Sequence, residues 1–179
     1  MKKYPPLEKL KSLLDYDPAT GIFRWKISGK GRKVSKIAGS INNQGYVMIG
    51  TKYRRFYAHR LAWYITYGYL PKELDHINRD TSDNRICNLR ECTRSQNKAN
   101  ALPYKNRKYK GIYFNKRLGK YQAQIEHNYK QYYLGLFDTP KAAALAYNAK
   151  AIELHGEFAY LNEVDQSEQL LFENIKNKT

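Results

Sequence analysis

The sequence predicts an α+β fold built from two small units. At 179 residues, the chain is long enough for one ordinary domain or for two small ones. Short runs that alternate apolar and polar residues, separated by Gly and Asn, indicate antiparallel strands in both halves. Runs with leucine or alanine at helical spacing indicate the helices that accompany them. We therefore expect small antiparallel sheets, each packed with helices.

The first unit, residues 1–103, is predicted to start with a helix and to continue as a small antiparallel meander. Leucines at 7, 10, 13 and 14 have helical spacing, and residues 17–21 have turn chemistry. A second helix is predicted from His59 to Tyr67, ending at Gly68. The strand-like runs between the two helices are Ile22–Trp25, 37–41, 46–49 and Arg55–Tyr57.

Residues 73–103 are rich in Asn, Asp and Arg and have little periodicity, which is typical of a loop that organises a ligand. A helix is predicted to begin near Thr93 or Ser95, either of which can cap it, and to reach about Leu102. Pro103 and the basic stretch 105–108 indicate a domain boundary.

The second unit, residues 104–162, is predicted to be a three-stranded sheet packed on one helix. Its strand-like runs are 111–114, 121–126 and 131–136. Thr139 is the predicted N-cap of the helix, with Pro140 at the first helical position. Alanines at 142–144, 146, 149 and 151 would let this helix lie close to the sheet. Residues 163–179 are predicted to be a polar tail.

The charge distribution indicates a polyanionic partner. The net charge is +16, with 14 Lys/Arg against 3 Asp/Glu in residues 1–60 and 8 against 1 in residues 104–135. The segment between these basic blocks is nearly balanced, at 6 against 5. Basic blocks bind nucleic acid because neutralising phosphates releases condensed counterions. A membrane surface is disfavoured because we find no basic amphipathic helix or lipidation motif.

The sequence also predicts where the protein resides. There is no signal-peptide-like start and no apolar stretch long enough to span a bilayer. Two cysteines, Cys87 and Cys92, do not make a disulfide scaffold. We therefore expect a soluble, cytoplasmic protein.

The segment 74–97 contains Asp75-His76, Asn88-Leu89-Arg90 and Asn97. It resembles the HNH, or ββα-metal, nuclease motif of phage and mobile-element (homing) endonucleases. The resemblance implies a hairpin that presents a general base and a docked helix that supplies a metal ligand. It implies that His76 is the base, that Asp75 and Asn97 are metal ligands, that Asn88 braces the loop and can orient His76, and that Arg90 can neutralise the phosphate.

Asn97 stands where the family name has its second His, and this replacement affects the choice of metal. Carboxylate and amide oxygens favour a hard cation, so we expect Mg²⁺ or Mn²⁺. Only two protein ligands suit a single ion completed by water and phosphate. One active site per monomer predicts nicking of one strand, and we expect a monomer or weak dimer.

Structural interpretations of these residues stay open. Asp75 and Asn88 could satisfy turns in a polar hairpin with His76 in the core, although this leaves the near-neutral middle segment unexplained. His59 lies in a run that also resembles phage and intron HNH enzymes, but it could simply serve as a helix-start or core residue. Cys87 and Cys92 could seed a zinc site, but no second pair is present. Cys87 is instead expected to be a small buried residue beside Asn88.

Residues 109–161 resemble the ethylene-response-factor (Apetala-type) DNA-binding domain. The matching pieces are 109–112, 119–125, 133–139, the helix through Ala142-Ala143 and Ala146-Tyr147, and Leu161-Asn162. The resemblance implies a sheet whose exposed face enters the major groove, while Tyr121, Ala123 and Ile125 face the helix. The candidate DNA contacts are Lys110, Tyr113, Asn115, Arg117, Gln124, Gln131 and Tyr133. Several arginines of the family are replaced by Tyr, Asn and Gln, so its preferred DNA sequence does not transfer.

Together these features predict a metal-dependent endonuclease that hydrolyses double-stranded DNA at sites held by its second unit. The main alternative is a DNA-binding regulator with a vestigial nuclease unit. RNA binding through exposed tyrosines is weaker, since no characteristic single-strand motif is present. A protein-interaction role for the second unit is disfavoured by its 8-to-1 basic excess.

Overall fold

Two compact units, Met1–Thr93 and Arg94–Thr179, make up the fold in a computed structural model. The structure describes residues 4–29, 32–51, 54–104 and 107–164. The units divide at Thr93/Arg94 rather than at the predicted 103/104, because the helix that follows Thr93 packs within the second unit.

The described residues of the first unit form two α-helices and three small antiparallel sheets. Its helices are α1 (Leu7–Leu13) and α2 (Ala58–Tyr67). Its strands are β1 (Leu14–Asp17), β2 (Ile22–Trp25), β3 (Ser40–Ile41), β4 (Val47–Gly50), β5 (Arg55–Tyr57), β6 (Glu73–His76) and β7 (Leu89–Cys92). β1 pairs with β2, β6 pairs with β7, and β3, β4 and β5 form a sheet in that order. The last three runs of the predicted meander form the β3-β4-β5 sheet, whereas the first run, Ile22–Trp25, pairs with β1 in a separate hairpin.

Two predictions for this unit were wrong in detail. Leu14 does not continue the first helix but starts β1, because its extended backbone pairs with Trp25 and buries its side chain. Of the predicted strand 37–41, only Ser40–Ile41 forms a strand, and Ile37 makes an isolated bridge to Arg24. Gly39, at φ +111°, lies between these two pairings.

The core of the first unit joins its helices to its hairpins. Leu10 of α1, Ile49 of β4 and Leu61 of α2 are completely buried. Leu74 and Leu89 extend the same cluster into the β6–β7 hairpin. The apolar residues of β6 and β7 thus fix the polar residues that alternate with them.

The second unit confirms the predicted sheet on one helix. Its elements are α3 (Arg94–Asn100), β8 (Ile112–Asn115), β9 (Lys120–His127), β10 (Lys130–Phe137) and α4 (Pro140–His155), followed by a short 3₁₀ turn, Gly156–Phe158. The sheet is antiparallel in the order β10-β9-β8. The predicted cap is confirmed, since the Thr139 hydroxyl accepts from the Ala142 amide at 3.1 Å.

Small side chains let α4 lie directly on this sheet. Ala143, Ala144 and Ala151 are completely buried against Ala123 and Ile125 of β9. The predicted polar tail falls almost wholly outside the described residues, which end at Val164. Within the part of the chain that the structure describes, we find no helix long and apolar enough to cross a membrane.

Candidate active site

The β6–β7 hairpin brings Asp75 and His76 to the end of one strand. Asp75 pairs with Arg90, and His76 with Leu89. Both polar side chains are buried, at 6% and 5% exposure. Burial of adjacent strand residues means that both faces of β6 are covered at this point. A buried carboxylate beside a buried imidazole requires specific partners, because isolated polar groups are costly to bury.

The partner of Asp75 is the side chain of Arg90. Nε of Arg90 donates a hydrogen bond to Oδ2 of Asp75 at 2.9 Å, and Nη2 lies 2.8 Å from the same oxygen in an ion pair. Both side chains of this ion pair are largely buried. Arg90, predicted to contact phosphate, therefore makes its close contact with the predicted metal ligand.

Asn88 braces the loop between the two strands. Its Nδ2 donates to the Asn78 side-chain oxygen and to the Asp83 carbonyl, both at 2.9 Å. Its Oδ1 accepts from the Asn78 amide at 3.0 Å, and its carbonyl accepts from the Ile77 amide at 2.9 Å. These bonds connect both ends of the loop, and none of them is made to His76.

The β1–β2 hairpin braces the same loop from outside. The Tyr16 hydroxyl donates to the Asn84 carbonyl at 2.8 Å, and the Ile86 amide donates to the Pro18 carbonyl at 3.2 Å. Gly21, at φ +73°, lies so close that a Cβ there would be 2.5 Å from the Arg85 nitrogen. Only glycine fits both this backbone conformation and this approach.

Aromatic rings surround His76. The ring of His59 lies edge-on to it, with centroids 5.0 Å apart, and Tyr46 lies 6.0 Å away. Burial lowers the pKa of His76, against the opposing influence of the Asn84 side-chain amide and of the nearby carboxylates, Asp75 first among them. The ring is therefore held in its neutral form.

His59 is itself buried and lies at the start of α2. Burial lowers its pKa to about 3, assisted by His76 and Arg60. Its Nδ1 has no hydrogen-bond partner among the described residues. The structure thus places His59 against the predicted base, so it is both a helix-start residue and a neighbour of the site.

Asn84 is a residue of this site that sequence reasoning missed. It is 3% exposed, its carbonyl accepts a hydrogen bond from the Tyr16 hydroxyl at 2.8 Å, and its Nδ2 donates to the Ser82 carbonyl at 2.9 Å. Nothing in the sequence distinguishes it from the other Asn and Asp residues of the loop. Its importance depends on Tyr16, which lies far away in the chain.

Asn97, the second predicted metal ligand, belongs to the second unit. It lies within α3, its side chain is half-buried, and its carbonyl accepts from the Ala101 amide at 3.1 Å. Within the described residues, no group of three or more His, Cys, Asp or Glu side chains is arranged to hold a metal ion.

The two cysteines are free thiols, and the prediction of a buried Cys87 was wrong. Cys87 is exposed because the 3₁₀ turn Ile86–Asn88 directs its neighbour Asn88 inward. Cys92 is half-buried, and burial raises the pKa of its thiol to about 12.

The candidate DNA contacts cluster on one sheet face of the second unit. Tyr113 is paired with Gln122, Gln124 with Tyr133, and Gln131 with Glu126. Directly paired residues share a face, which here is opposite to that of the buried Ala123 and Ile125. Tyr133 is 61% exposed.

The remaining candidates lie at the edges of this sheet. The Asn115 side chain accepts from the Arg117 and Leu118 amides at 3.1 and 3.2 Å, which shapes the β8–β9 turn and leaves the Arg117 side chain exposed. Lys110 precedes β8, and its Nζ donates to three carbonyls at the end of α3.

Part of the chain is similar to plant proteins of the AP2 and APETALA2 type. An AP2-like ethylene-responsive transcription factor of Arabidopsis thaliana is 42% identical over 60 residues, which are 34% of this chain. APETALA2-like protein 2 of Oryza sativa is 44% identical over 54 residues, 30% of this chain. The chain spans only 12% of the length of these relatives.

A segment from α2 into α3, and most of the chain in a second comparison, are similar to HNH endonucleases. A family model described as HNH endonuclease matches residues 56–99, which include α2 and the β6–β7 hairpin. An uncharacterized HNH endonuclease of Acanthamoeba polyphaga mimivirus is 30% identical over 157 residues, covering 85% of this chain and 73% of the viral protein. The chain therefore belongs to the HNH endonuclease family.

Proposed function

We propose that the protein is a metal-dependent DNA endonuclease that hydrolyses phosphodiester bonds. The observation that carries this proposal is the β6–β7 hairpin, which buries Asp75 beside His76 at the base of a loop braced by Asn88. Such hydrolysis needs a base for water and a cation for the phosphate oxygens, held in a rigid frame. Family membership supports the same chemistry.

The donor set fits a hard divalent cation such as Mg²⁺ or Mn²⁺. Asp75 would offer a carboxylate oxygen and Asn97 an amide oxygen, which are the donor types that these ions prefer. When bound, the cation would supply Lewis-acid stabilisation of the charge that develops on the phosphate. The buried Arg90 balances the Asp75 charge.

His76 would act as the general base. Its neutral ring would take a proton from water on an imidazole nitrogen. Asn88 would keep the loop in place during the reaction, since its amide satisfies both loop ends. In this proposal Arg90 exchanges part of its contact with Asp75 for the incoming phosphate.

The second unit would hold double-stranded DNA on the exposed face of its sheet. Support comes from the similarity to plant transcription factors, from the 8-to-1 basic excess of residues 104–135, and from the shared face of Tyr113, Gln124 and Tyr133. Glutamine side chains can read base edges, and tyrosines and cations can contact the backbone. A chain with one such site would nick one strand when it acts as a monomer.

A plasmid assay tests the proposal. Supercoiled plasmid incubated with the full chain and Mg²⁺ or Mn²⁺ should become open circles, or linear DNA if both strands are cut. His76→Ala should lower the cleavage rate by about 10²–10⁴-fold and leave DNA affinity within about twofold. His155→Ala, which changes a half-buried histidine of the second unit, is the matched control.

Other outcomes separate the alternatives. DNA binding without cutting under any divalent cation would indicate a regulator with a vestigial nuclease unit. Stronger competition by RNA than by duplex DNA of equal length would contradict the proposed substrate.

A further inference from the structure

Two glutamines lie at the centre of the exposed sheet face of the second unit. Gln122 and Gln124 are two residues apart on β9, the middle strand of the sheet, so their side chains share a face. Across the ladders, Gln122 is paired with Tyr113, which is 38% exposed, and Gln124 with Tyr133, which is 61% exposed. The two glutamines therefore lie between exposed tyrosines on the face that we propose for duplex binding.

A hydrogen bond joins the two glutamines. Nε2 of Gln122 donates to Oε1 of Gln124 at 3.2 Å, and both residues are partly buried. An amide oxygen has two lone pairs, and an amide nitrogen has two protons. The bond uses one lone pair of Gln124 and neither of its Nε2 protons. Gln124 therefore keeps an acceptor and a donor side by side, in an orientation that Gln122 holds.

The charges around this pair are compatible with DNA. Glu126 lies two residues beyond Gln124 on the same strand and face, but Lys98 Nζ is 2.7 Å from both of its carboxylate oxygens. The guanidinium of Arg107 lies over the Tyr113 ring, 4.4 Å from the ring centroid. The carboxylate is thus neutralised by a lysine, and a cation is held beside the glutamines. Phosphate repulsion at this face is reduced accordingly.

The donor and acceptor of Gln124 match the major-groove edge of one base. Adenine presents a donor, N6, beside an acceptor, N7, so one glutamine amide can accept from the first and donate to the second. Guanine presents two acceptors, N7 and O6, which suit the two donors of an arginine. Cytosine presents a donor, and thymine an acceptor beside a methyl group. Adenine is therefore the base that a single glutamine reads with two bonds.

We propose that Gln124 reads an adenine in the major groove and that Gln122 is a positioning residue that orients its amide. The proposal rests on the proposed function, in which this face holds double-stranded DNA. It adds a feature of the target, an A·T pair within the part of the site that the second unit covers. Since the bond from Gln122 already restricts Gln124, less side-chain freedom is lost when DNA binds.

Selection from a pool of random duplexes tests this proposal. The full chain is used with EDTA, so that DNA is bound without metal-dependent cleavage. The unaltered chain should enrich adenine at one position of the selected site. Gln124→Arg should enrich guanine at that same position, because arginine donates to both N7 and O6. Gln124→Leu should lose the preference there and keep it elsewhere. A residue with a merely structural role would not exchange one base for another.

Affinities for the selected duplex measure the size of the contact. Replacing this A·T pair with G·C should weaken binding of the unaltered chain by about 5–150-fold, the discrimination of one bidentate contact. 7-Deazaadenine, which lacks the N7 acceptor, should weaken binding by about threefold or more. The same base should change the affinity of Gln124→Leu by less than about twofold, since this variant lacks the donor to N7.

Gln122→Met, which keeps the stem of the side chain and removes the donor, tests the positioning role. It should reduce the adenine preference at the position read by Gln124 and change no other position. Loss of preference at a different position would show that Gln122 contacts a base itself and would overturn its positioning role. Gln44→Leu is the matched control, because Gln44 is an exposed glutamine of the first unit. It should leave the adenine preference unchanged.

Several outcomes would overturn the proposal. One is guanine in place of adenine for the unaltered chain, and another is an unchanged selected site for Gln124→Leu. Absence of any preferred duplex would overturn it as well. If the variants of Gln124 do not fold, the 7-deazaadenine measurement on the unaltered chain decides, because an unchanged affinity would contradict the contact to N7.

Cleavage and binding separate this proposal from the proposed function. An adenine preference without cutting under Mg²⁺ or Mn²⁺ would support the role of Gln124 and contradict the nuclease activity. Cutting of plasmid DNA by a chain with no adenine preference would contradict the role of Gln124 alone.

Discussion

Arg90 forms a buried ion pair with Asp75, in which Nε donates to one carboxylate oxygen at 2.9 Å and Nη2 lies 2.8 Å from the same oxygen. The two residues face each other across the β6–β7 ladder, so the strand register that buries Leu74 and Leu89 also fixes this pair. In the proposed function, a divalent cation would bind the carboxylate that Arg90 pairs with. The effect of Arg90 on stability with and without a divalent cation can therefore be measured.

Replacing Arg90 with Met should destabilise the metal-free protein and increase its response to Mg²⁺. The loss of one partner leaves a buried charge unpaired, which costs about 3–5 kcal/mol of unfolding free energy. A bound divalent cation would replace the missing charge, so Mg²⁺ should raise the Tm of the variant more than that of the unaltered protein. Thermal unfolding with and without Mg²⁺ measures both effects.

Arg85→Met is the control, because Arg85 forms a more exposed pair with Asp83. It should cost about 1 kcal/mol or less. An equal Mg²⁺ shift in all three proteins would argue against Asp75 as a ligand.

Asn88→Asp should disorder the loop while preserving the size of the side chain. The substitution replaces the Nδ2 donor with an acceptor that faces the Asn78 and Asp83 oxygens. We expect a loss of about 2–4 kcal/mol in unfolding free energy, along with faster proteolysis between residues 77 and 88. Urea denaturation and limited proteolysis test this. Asn43→Asp, in an exposed turn, should change neither the unfolding free energy nor the rate of proteolysis.

Gly21→Ala should damage the nuclease unit more than Gly68→Ala. Both glycines have positive φ, +73° and +81°, so both substitutions carry the same kind of backbone strain. Only at Gly21 would the new Cβ meet backbone, at 2.5 Å from the Arg85 nitrogen, whereas nothing lies within 4 Å at Gly68. We expect Gly68→Ala to cost about 1 kcal/mol and Gly21→Ala to cost more and to reduce cleavage. Equal losses of unfolding free energy in the two variants would mean that the loop tolerates displacement.

Acid should destabilise the first unit through His59. Burial lowers its folded pKa to about 3, whereas an unfolded histidine titrates near 6.5. The unfolded state therefore binds the proton first, so the stability present above about pH 6.5 is lost as pH falls toward about 3, by up to about 1.4 kcal/mol per pH unit. Urea denaturation between about pH 7 and 4.5 should show this slope, and His59→Phe should reduce it. An unchanged slope in the variant would assign the acid sensitivity elsewhere.

Arg117→Ala should weaken duplex binding in a salt-dependent manner. Arg117 is exposed in the β8–β9 turn, at the rim of the proposed DNA face. Loss of one phosphate contact should reduce the slope of log affinity against log salt by about 1. Lys150→Ala, on α4 with its nitrogen 2.6 Å from Glu153, should leave the slope unchanged. Identical slopes for the unaltered protein and both variants would show that Arg117 does not contact the DNA.

The second unit follows local rules closely, and for that reason much of it was predictable. The Thr139-Pro140 start of α4, its buried alanines and the alternation along β9 all follow from neighbouring residues. The first unit was less predictable where long-range pairing overrides local pattern. Leu14 has helical spacing, yet its pairing with Trp25 draws it into a strand.

The candidate site also combines residues that the sequence predicts with contacts that only the fold shows. A known spacing predicts Asp75, His76, Asn88 and Arg90. The place of Asn84, and the pairing of Arg90 with Asp75, needed the fold, because they depend on Tyr16 and on the cross-strand register. Likewise, no spacing rule connects Lys110 to the carbonyls of α3.

Because the β1–β2 hairpin braces the loop, it also determines which residues must be transferred when the nuclease motif is placed in another protein. The matched family segment begins at residue 56, but Tyr16, Pro18 and Gly21 contact the loop from far outside it. A fragment that contains only the matched segment would lose the residues that hold the β6–β7 loop in shape. An engineered chimera should therefore carry the β1–β2 hairpin with it, and homologues that lack this hairpin must support the loop by some other segment.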